Sequence, residues 1–492
     1  MTWLFLVLAC NPTPVPVDTA PPLEEPLATV DVAIIGGGAS GLSAAYEALA
    51  AGAEVLVIER RSQVGGAGVH AMNFLAAGTP WQEERGFEDS PAALLAEWEE
   101  ITGGDATNPM VEAFAEGTMD VIEWLISYGG EVVSVTKSAG AGSTARIHAV
   151  QFNHGPHALE VFGEEIAEHV MTATNAVDLV VDAGEVIGVE VVQADDSVGW
   201  IQARSVIVAT GGFARDDDRV FEAVPALEAF PRHCESWPGM DGNGLVMVEA
   251  AGGTLTNLEN ITLYGHGVTD PNHGSPEAMV IPMLHEGMVV DPQGVRIANE
   301  EDFGTVWGGH HFLDHGQLTL IVDNAFWEDL TMMGMGYNYA QAQDGWLSGP
   351  EYAALVDVAS AEEPAALAAQ IGVDAETLAA TVLTYNQAFE AGVDAEFGKD
   401  LSFLRALDSL PLYALPLVVS TGKSFGGAAL AEGGAVLDPS GGVVPGLFAA
   451  GEAAGVLGGD HVGRGFSGPI TGAYHSGFVA GRGAAAYALE GR

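Results

Sequence analysis

The sequence predicts an α/β protein in which a discontinuous dinucleotide-binding domain is interrupted by an inserted α+β capping domain. Three observations carry that prediction. Near the start, VDVAII (30–35) reads as a buried strand, residues 40–51 as a helix and EVLVI (54–58) as a second strand, a βαβ beginning with glycines at its turn. Strand patterns and glycine turns return near the end of the chain. Between the two lies a long stretch of less regular patterning.

Taken in order, AVDLVVDAGEVIGVEVVQADD (176–196) alternates and turns like a β-meander, and ARSVIVATGGF (203–213) is a buried strand running into a glycine turn. Helical patterning occupies 360–392. Residues 431–456 give a hairpin, the strand GLFAAG and another turn. PITGAYHSGFVAGRGAAAYAL forms a long helix of small residues opened by Pro469, whose missing N–H is no loss at a helix start. The division that follows is a leader and Pro-rich tether over 1–28, a first part of the nucleotide domain over 29–238, the cap over 239–423 and the second part over 424–492. The 65 glycines fall in turns and show no solenoid period.

With 492 residues, 48% of them apolar, the chain has core enough for two or three folding units. Only 16 Lys and Arg oppose 67 Asp and Glu, a formal net charge of -51, so polyanions are repelled and nucleic acid is excluded as a partner. Such acidity suits a salty medium or is simply a well-solvated surface. Against it, each cation inside a motif stands out.

MTWLFLVLAC is a short apolar run, and NPTPVPVDTAPPLEEP continues it as an extended tether. Together they resemble a bacterial lipoprotein signal with Cys10 acylated after cleavage, which implies an exported protein anchored to a membrane of the bacterial envelope. No Lys or Arg precedes the run, and a misassigned start, leaving the protein cytoplasmic, is the other reading. No run reaches the roughly 18 apolar residues that a spanning helix needs. Cys234, the other cysteine, reads as a buried or loop thiol. No Cys pattern provides for haem attachment or an iron–sulfur cluster.

Gly36-x-Gly38-x-x-Gly41 follows a strand and opens a helix, the context that gives the pattern meaning. Gly36 permits the tight turn, Gly38 lets backbone approach a pyrophosphate, and Gly41 lets helix and strand pack closely. The helix start then presents unpaired N–H groups to the anion. Glu59 ends the second strand, where a carboxylate accepts hydrogen bonds from ribose hydroxyls and repels a 2′-phosphate. Two lookalikes lack that context. Gly463-x-Gly465-x-x-Gly468 has no strand before it, and TGKS (421–424) has Leu417 where a P-loop needs glycine.

Beyond the turn, GGAGVHAMNFLAAGT, VIVATGGF, MDGNGLVMVEAAGG, DPQGVRIANE, TVLTYNQAFEAGVDAEFGK and GLFAAGE follow one another between Val30 and Gly483. In this order they resemble the flavoprotein family of soluble fumarate reductases and succinate dehydrogenases, which also holds urocanate reductases and 3-ketosteroid dehydrogenases. The resemblance implies a Rossmann-like FAD-binding domain. It implies cofactor contacts at Gly36, Ala39, Ser40, Gly41, Glu59 and Arg60, at Gly65, Gly66, Ala67 and Asn73, and at Thr210, Gly211, Glu452 and Ile470. Gly38 of the turn and Gly468 at the head of the last helix complete the set. That helix would aim its positive end at the isoalloxazine and stabilise negative charge there. Some members tether FAD through a His where this chain has Gly65, while His70 lies elsewhere in the segment, so non-covalent FAD is expected.

The same resemblance implies a clamp for the substrate's polar group. Arg464 in RGFSG stands at the family's clamp Arg, His266 in LYGHG at a clamp His, and Lys423 in GKSFGG replaces a second His. The proton donor departs from the pattern. Fumarate reductases place an Arg after an N-E pair, and here Asn299-Glu300 leads to Gly304; ketosteroid dehydrogenases have a Tyr in the region where Phe303 or Gly304 stands. Asp302, His285, His310, His311 and Tyr337 are the substitutes at hand. GGHHFLDH (308–315) also has the look of a metal cluster, but adjacent histidines on an irregular segment fit a loop better, and no metal is assigned. The expected activity is FAD-dependent hydride transfer at a carbon–carbon bond beside a carboxylate or carbonyl, on a small enoate, keto acid or enone. A ketosteroid-type dehydrogenase and a non-catalytic, lipid-anchored flavin or electron carrier are the alternatives. The electron partner, the reaction direction and the oligomeric state are not specified by the sequence.

Overall fold

The computed structural model describes residues 25–137, 143–152, 156–269, 278–281, 283–304, 308–335, 347–455 and 468–490. Cys10 with the leader, Tyr337 and Arg464 lie outside the described residues.

The strand Ala28–Ile35 sits inside an eight-stranded sheet, parallel to Val55–Ile58 on one side and to Val198–Val208 on the other. Its alternate residues feed two cores: Val32 and Ile34 face one, Ala33 and Ile35 the other. Burial on both faces is why the run is apolar throughout rather than alternating. The meander is present as Asn175–Asp182 and Glu185–Val192, and the latter pairs antiparallel with Val198–Val208. Val443–Ala449 joins the same sheet parallel to Val198–Val208, with Leu447 opposite Val206. One sheet is therefore built from both ends of the chain.

The helix Ala39–Ala50 packs against the last helix, Pro469–Leu489, and the small residues of the latter make that contact possible. A Cβ at Gly477 would lie 2.4 Å from the carbonyl oxygen of Ser40, and one at Gly481 would lie 2.3 Å from that of Ala44. Backbone meets backbone there, which side chains at those positions would forbid.

A six-stranded sheet carries the middle of the chain, in the order Arg232–Cys234, Val418–Ser424, Ile261–Thr269, Ala278–Val280, Thr331–Met335, Leu347–Ser348. Arg232–Cys234 lies ahead of residue 239, so this sheet begins before the expected cap does, and the expected boundary between 423 and 424 falls inside the strand Val418–Ser424. TGKS is the end of a strand, not a phosphate loop. The helical stretch expected over 360–392 is two helices, Pro364–Ile371 and Ala375–Ala391, because Gly372 at φ +77° ends the first. The histidine segment differs from the loop expected: His310–His315 is a short helix, with His311 stacked 4.9 Å from the buried Phe303. Cys234 is buried, its thiol donating to the Ala214 carbonyl at 3.2 Å. Among the described residues no helix is long and apolar enough to cross a membrane.

Candidate active site

Both ends of the nucleotide domain converge on one cleft of about 1340 Å³, measured out to its mouth. At one wall lies the glycine turn. Gly36 has φ +105°, and a Cβ there would stand 2.4 Å from the Ala209 carbonyl oxygen. At Gly41 a Cβ would stand 1.8 Å from the carbonyl oxygen of Gly36. Gly38 is different. It lines the cleft, and apart from its own chain neighbours no atom of the described residues lies within 4 Å of where its Cβ would be, so a methyl group would project into the space a pyrophosphate needs. The helix Ala39–Ala50 begins at this point with no side-chain cap, leaving its first N–H groups for an anion.

Glu59 is 7% exposed, and its two carboxylate oxygens accept from the Gly37 and Arg61 amides, each at 2.8 Å. These bonds hold it against the turn, and each oxygen keeps a lone pair for a ribose hydroxyl. Ala39, Ser40, Arg60, Gly66, Ala67, Thr210 and Gly211 also line the cleft. Arg60 pairs across it with Asp241 at 2.6 Å. At the far wall stand Glu452, Pro469 and Ile470, with the last helix starting uncapped at Gly468, which has φ +120°. These residues fit a dinucleotide: two helix N-termini without side-chain caps, a turn open at Gly38 and a carboxylate held beside that turn by the Gly37 amide. The group bound there supplies two-electron redox chemistry.

Other expected contacts sit behind the wall. Gly41 packs beneath Gly36, and Gly65 donates its N–H to the Gly37 carbonyl at 2.6 Å. Asn73, at the head of the strand Asn73–Leu75, is exposed and absent from the cleft lining. Residues not singled out from sequence also line it: His70, Trp237, Asp241 and Asn243 among them. Asp241 and Asn243 lie in MDGNGLVMVEAAGG, so a signal was present for them. Trp237, whose ring lies tilted 5.2 Å from that of His70 with Arg61 over it at 4.7 Å, had none.

Lys423 reaches the Glu452 end of the cleft from the strand Val418–Ser424. Its ammonium donates to the Tyr264 hydroxyl at 3.0 Å. Tyr264 beside it, chiefly, together with Glu452 and Glu235, outweighs burial and holds the Lys423 ammonium pKa up at about 12. His266 stacks on Tyr264, rings 5.0 Å apart and 6° from parallel, and its Nε2 bonds Glu235 at 2.9 Å. Burial acts most strongly on Glu235 and favours its neutral form, but His266, Ser420 and Lys423 together pull its pKa below the usual carboxylate range. So the structure brings Lys423 and His266 into one cluster, and Lys423 alone of the pair lines the cleft. Of the substitute acids, His285 lies against Phe403 at 4.2 Å and His310 near Asp314 at 3.6 Å, both away from the cleft lining. Among the described residues no three His, Cys, Asp or Glu side chains are grouped to hold a metal ion.

Burial raises the Glu452 carboxyl to about 7, opposed by Lys423 and by the Ser424 amide. A carboxyl that ionises more reluctantly in the folded state favours folding below its unfolded value of 4.5, and that contribution is lost as pH rises through about 7. In FAD-free protein, Glu452→Gln is expected to be more stable than the parent at about pH 8 by roughly 3 kcal/mol, with most of the advantage gone at about pH 5. Urea midpoints at the two pH values check this; a pH-independent difference would contradict it.

A sheet built from both chain ends around a glycine turn and a facing helix start defines a dinucleotide-dependent oxidoreductase of the α/β class. Over residues 31–467 the chain matches the family model described as an FAD binding domain, and it belongs to that family. It is similar to the fumarate reductase (cytochrome) of Shewanella frigidimarina, 27% identical over 88% of this chain and 73% of the relative. The vinyl phenol reductase of Lactiplantibacillus plantarum is 25% identical over 93% of this chain and 96% of its own length. Among solved structures, the 3-ketosteroid-Δ4-(5α)-dehydrogenase of Rhodococcus jostii RHA1 superposes with a TM-score of 0.73 at 26% identity, covering 95% of this chain and 99% of that one. The cofactor is FAD, and the protein is an FAD-dependent oxidoreductase.

Proposed function

We propose that the protein exchanges hydride at a carbon–carbon bond next to a carboxylate or carbonyl, with FAD held non-covalently. The observation that carries this reading is Lys423, an ammonium set at the Glu452 end of the cleft beside the start of the last helix. An ammonium there holds the substrate's carbonyl or carboxylate, so that charge developing on that group is stabilised where the bond order changes. Arg464, from the segment just ahead of the last helix, is the second clamp residue by its place in the sequence, and His266 the third. The fumarate and vinyl phenol reductases support the reductive direction. The likeness to a steroid dehydrogenase over nearly the whole chain supports the second reading, an enone-type substrate beneath the cap.

Anaerobic reduction of the holoprotein followed by addition of fumarate, 4-vinylphenol or 4-androstene-3,17-dione tests the reading. Reoxidation by one of them well above the rate in oxygen-free buffer is expected; a flavin indifferent to all three would overturn it. With the responding acceptor, Arg464→Ala is expected to lower kcat/KM by about 10² or more while FAD stays bound. Unchanged turnover would take Arg464 out of the clamp.

A further inference from the structure

Reduction of a double bond needs, besides hydride on one carbon, a proton on the other. Gly304, where the fumarate reductases carry Arg, has no side chain to give one. Its neighbour Phe303 is fully buried against His311. The proton must come from elsewhere.

We infer that the Tyr264 hydroxyl delivers it, with Lys423, His266 and Glu235 as its support. The inference rests on the carbon–carbon reduction proposed above. Tyr264 is half-buried on the strand Ile261–Thr269, and its hydroxyl sits beside the ammonium of Lys423, which itself lines the cleft. The oxygen accepts from the Lys423 ammonium at 3.0 Å, which leaves the phenol's own O–H free to point to a third group. As that proton leaves, the ammonium faces the phenolate it creates and stabilises it through a charge-assisted bond. His266 lies parallel to the ring at 5.0 Å and is fixed by its 2.9 Å bond to Glu235, so the ring cannot swing away from Lys423 without breaking the stack. Gly422 completes the fit: a Cβ there would stand 2.7 Å from the Tyr264 ring, so glycine lets the ring lie over the strand that presents Lys423.

The step balances. Reduced FAD, if bound here and supplied by an external two-electron donor, would provide the hydride for one C–H bond, and the π electrons would move onto the carbon beside the carbonyl or carboxylate. The Tyr264 O–H bond breaks, a C–H bond forms at that carbon, and the phenolate regains its proton from solvent by way of Lys423. In the oxidative direction the same phenolate removes the proton.

The test compares parent and Tyr264→Phe holoprotein, each reduced with dithionite and mixed anaerobically with the acceptor found active on the parent, and separately with ferricyanide, which takes electrons and no proton at carbon. Tyr264→Phe is expected to keep its FAD and its ferricyanide rate while reoxidation by the alkene falls about 10³-fold, within the range for loss of a general acid. Alkene reoxidation within a few-fold of the parent would overturn the assignment, as would a parallel loss with ferricyanide, which would mark the residue as structural. Should the parent itself respond to ferricyanide and to no alkene, the proposed function fails and this inference with it. Lys423→Met is a second check. It removes the bond to the phenol oxygen, and the solvent deuterium isotope effect on alkene reoxidation is expected to rise as proton delivery becomes limiting. An isotope effect equal to the parent's would contradict the role of Lys423.

Discussion

Gly41→Ala is expected to give a chain that purifies colourless, with FAD affinity reduced by at least about 10³-fold. The added Cβ would stand 1.8 Å from the Gly36 carbonyl oxygen, and Gly36 cannot retreat because it is itself held at φ +105° against the Ala209 carbonyl. The helix must move off the strand, and the N–H groups aimed at the pyrophosphate move with it. Gly38→Ala separates the two functions of the turn. Its backbone, at φ −80°, accepts alanine without strain and, among the described residues, its Cβ meets nothing beyond its chain neighbours, so the apoprotein should unfold at the parent temperature while FAD is lost to the intruding methyl. Flavin fluorescence titration and thermal unfolding of the three apoproteins check both expectations. Parent-like FAD binding by Gly41→Ala would remove the turn from the cofactor site.

The second large effect is expected in the cap. Glu300 is fully buried and accepts two hydrogen bonds from Arg296, at 2.8 and 2.9 Å, and one from the Val289 amide at 3.1 Å, while the Lys399 ammonium lies 3.1 Å away. Arg296 also bonds Asp394 at 2.9 Å, and Lys399 donates to the Gly287 carbonyl at 2.6 Å and the Tyr385 hydroxyl at 2.7 Å. Glu300→Ala leaves two buried cations with one nearby carboxylate and an amide without its acceptor, a loss of about 3–5 kcal/mol. The urea midpoint should fall accordingly, and the low-denaturant FAD spectrum should persist because the nucleotide sheet is built from other strands. A shift under about 1 kcal/mol would mean the cap does not depend on this network.

That network also says what part of the sequence reading was legible. DPQGVRIANE and the FGK ending of TVLTYNQAFEAGVDAEFGK stood out as ordered motifs, and they supply Arg296, Glu300 and Lys399. The motifs were visible; their joint use as a brace across the cap core was not, since Lys399 and Asp394 are brought to Glu300 and Arg296 only by folding. The histidines of 310–315 show the converse. Their spacing suggested a loop, but Phe312 is buried and His311 lies on Phe303, and that packing turns the segment into a helix.

By itself the sequence determined the βαβ start, the glycine turn, Glu59 and the small-residue last helix, because each depends on contacts between near neighbours or on a backbone path that only glycine allows. Tertiary structure alone decided that Trp237 and His70 share the cleft wall and that Lys423, Tyr264, His266 and Glu235 form one cluster. Tyr264 and His266 share one strand, Lys423 lies on its neighbour and Glu235 just past the strand beyond, and no local periodicity records which strands a sheet will set side by side.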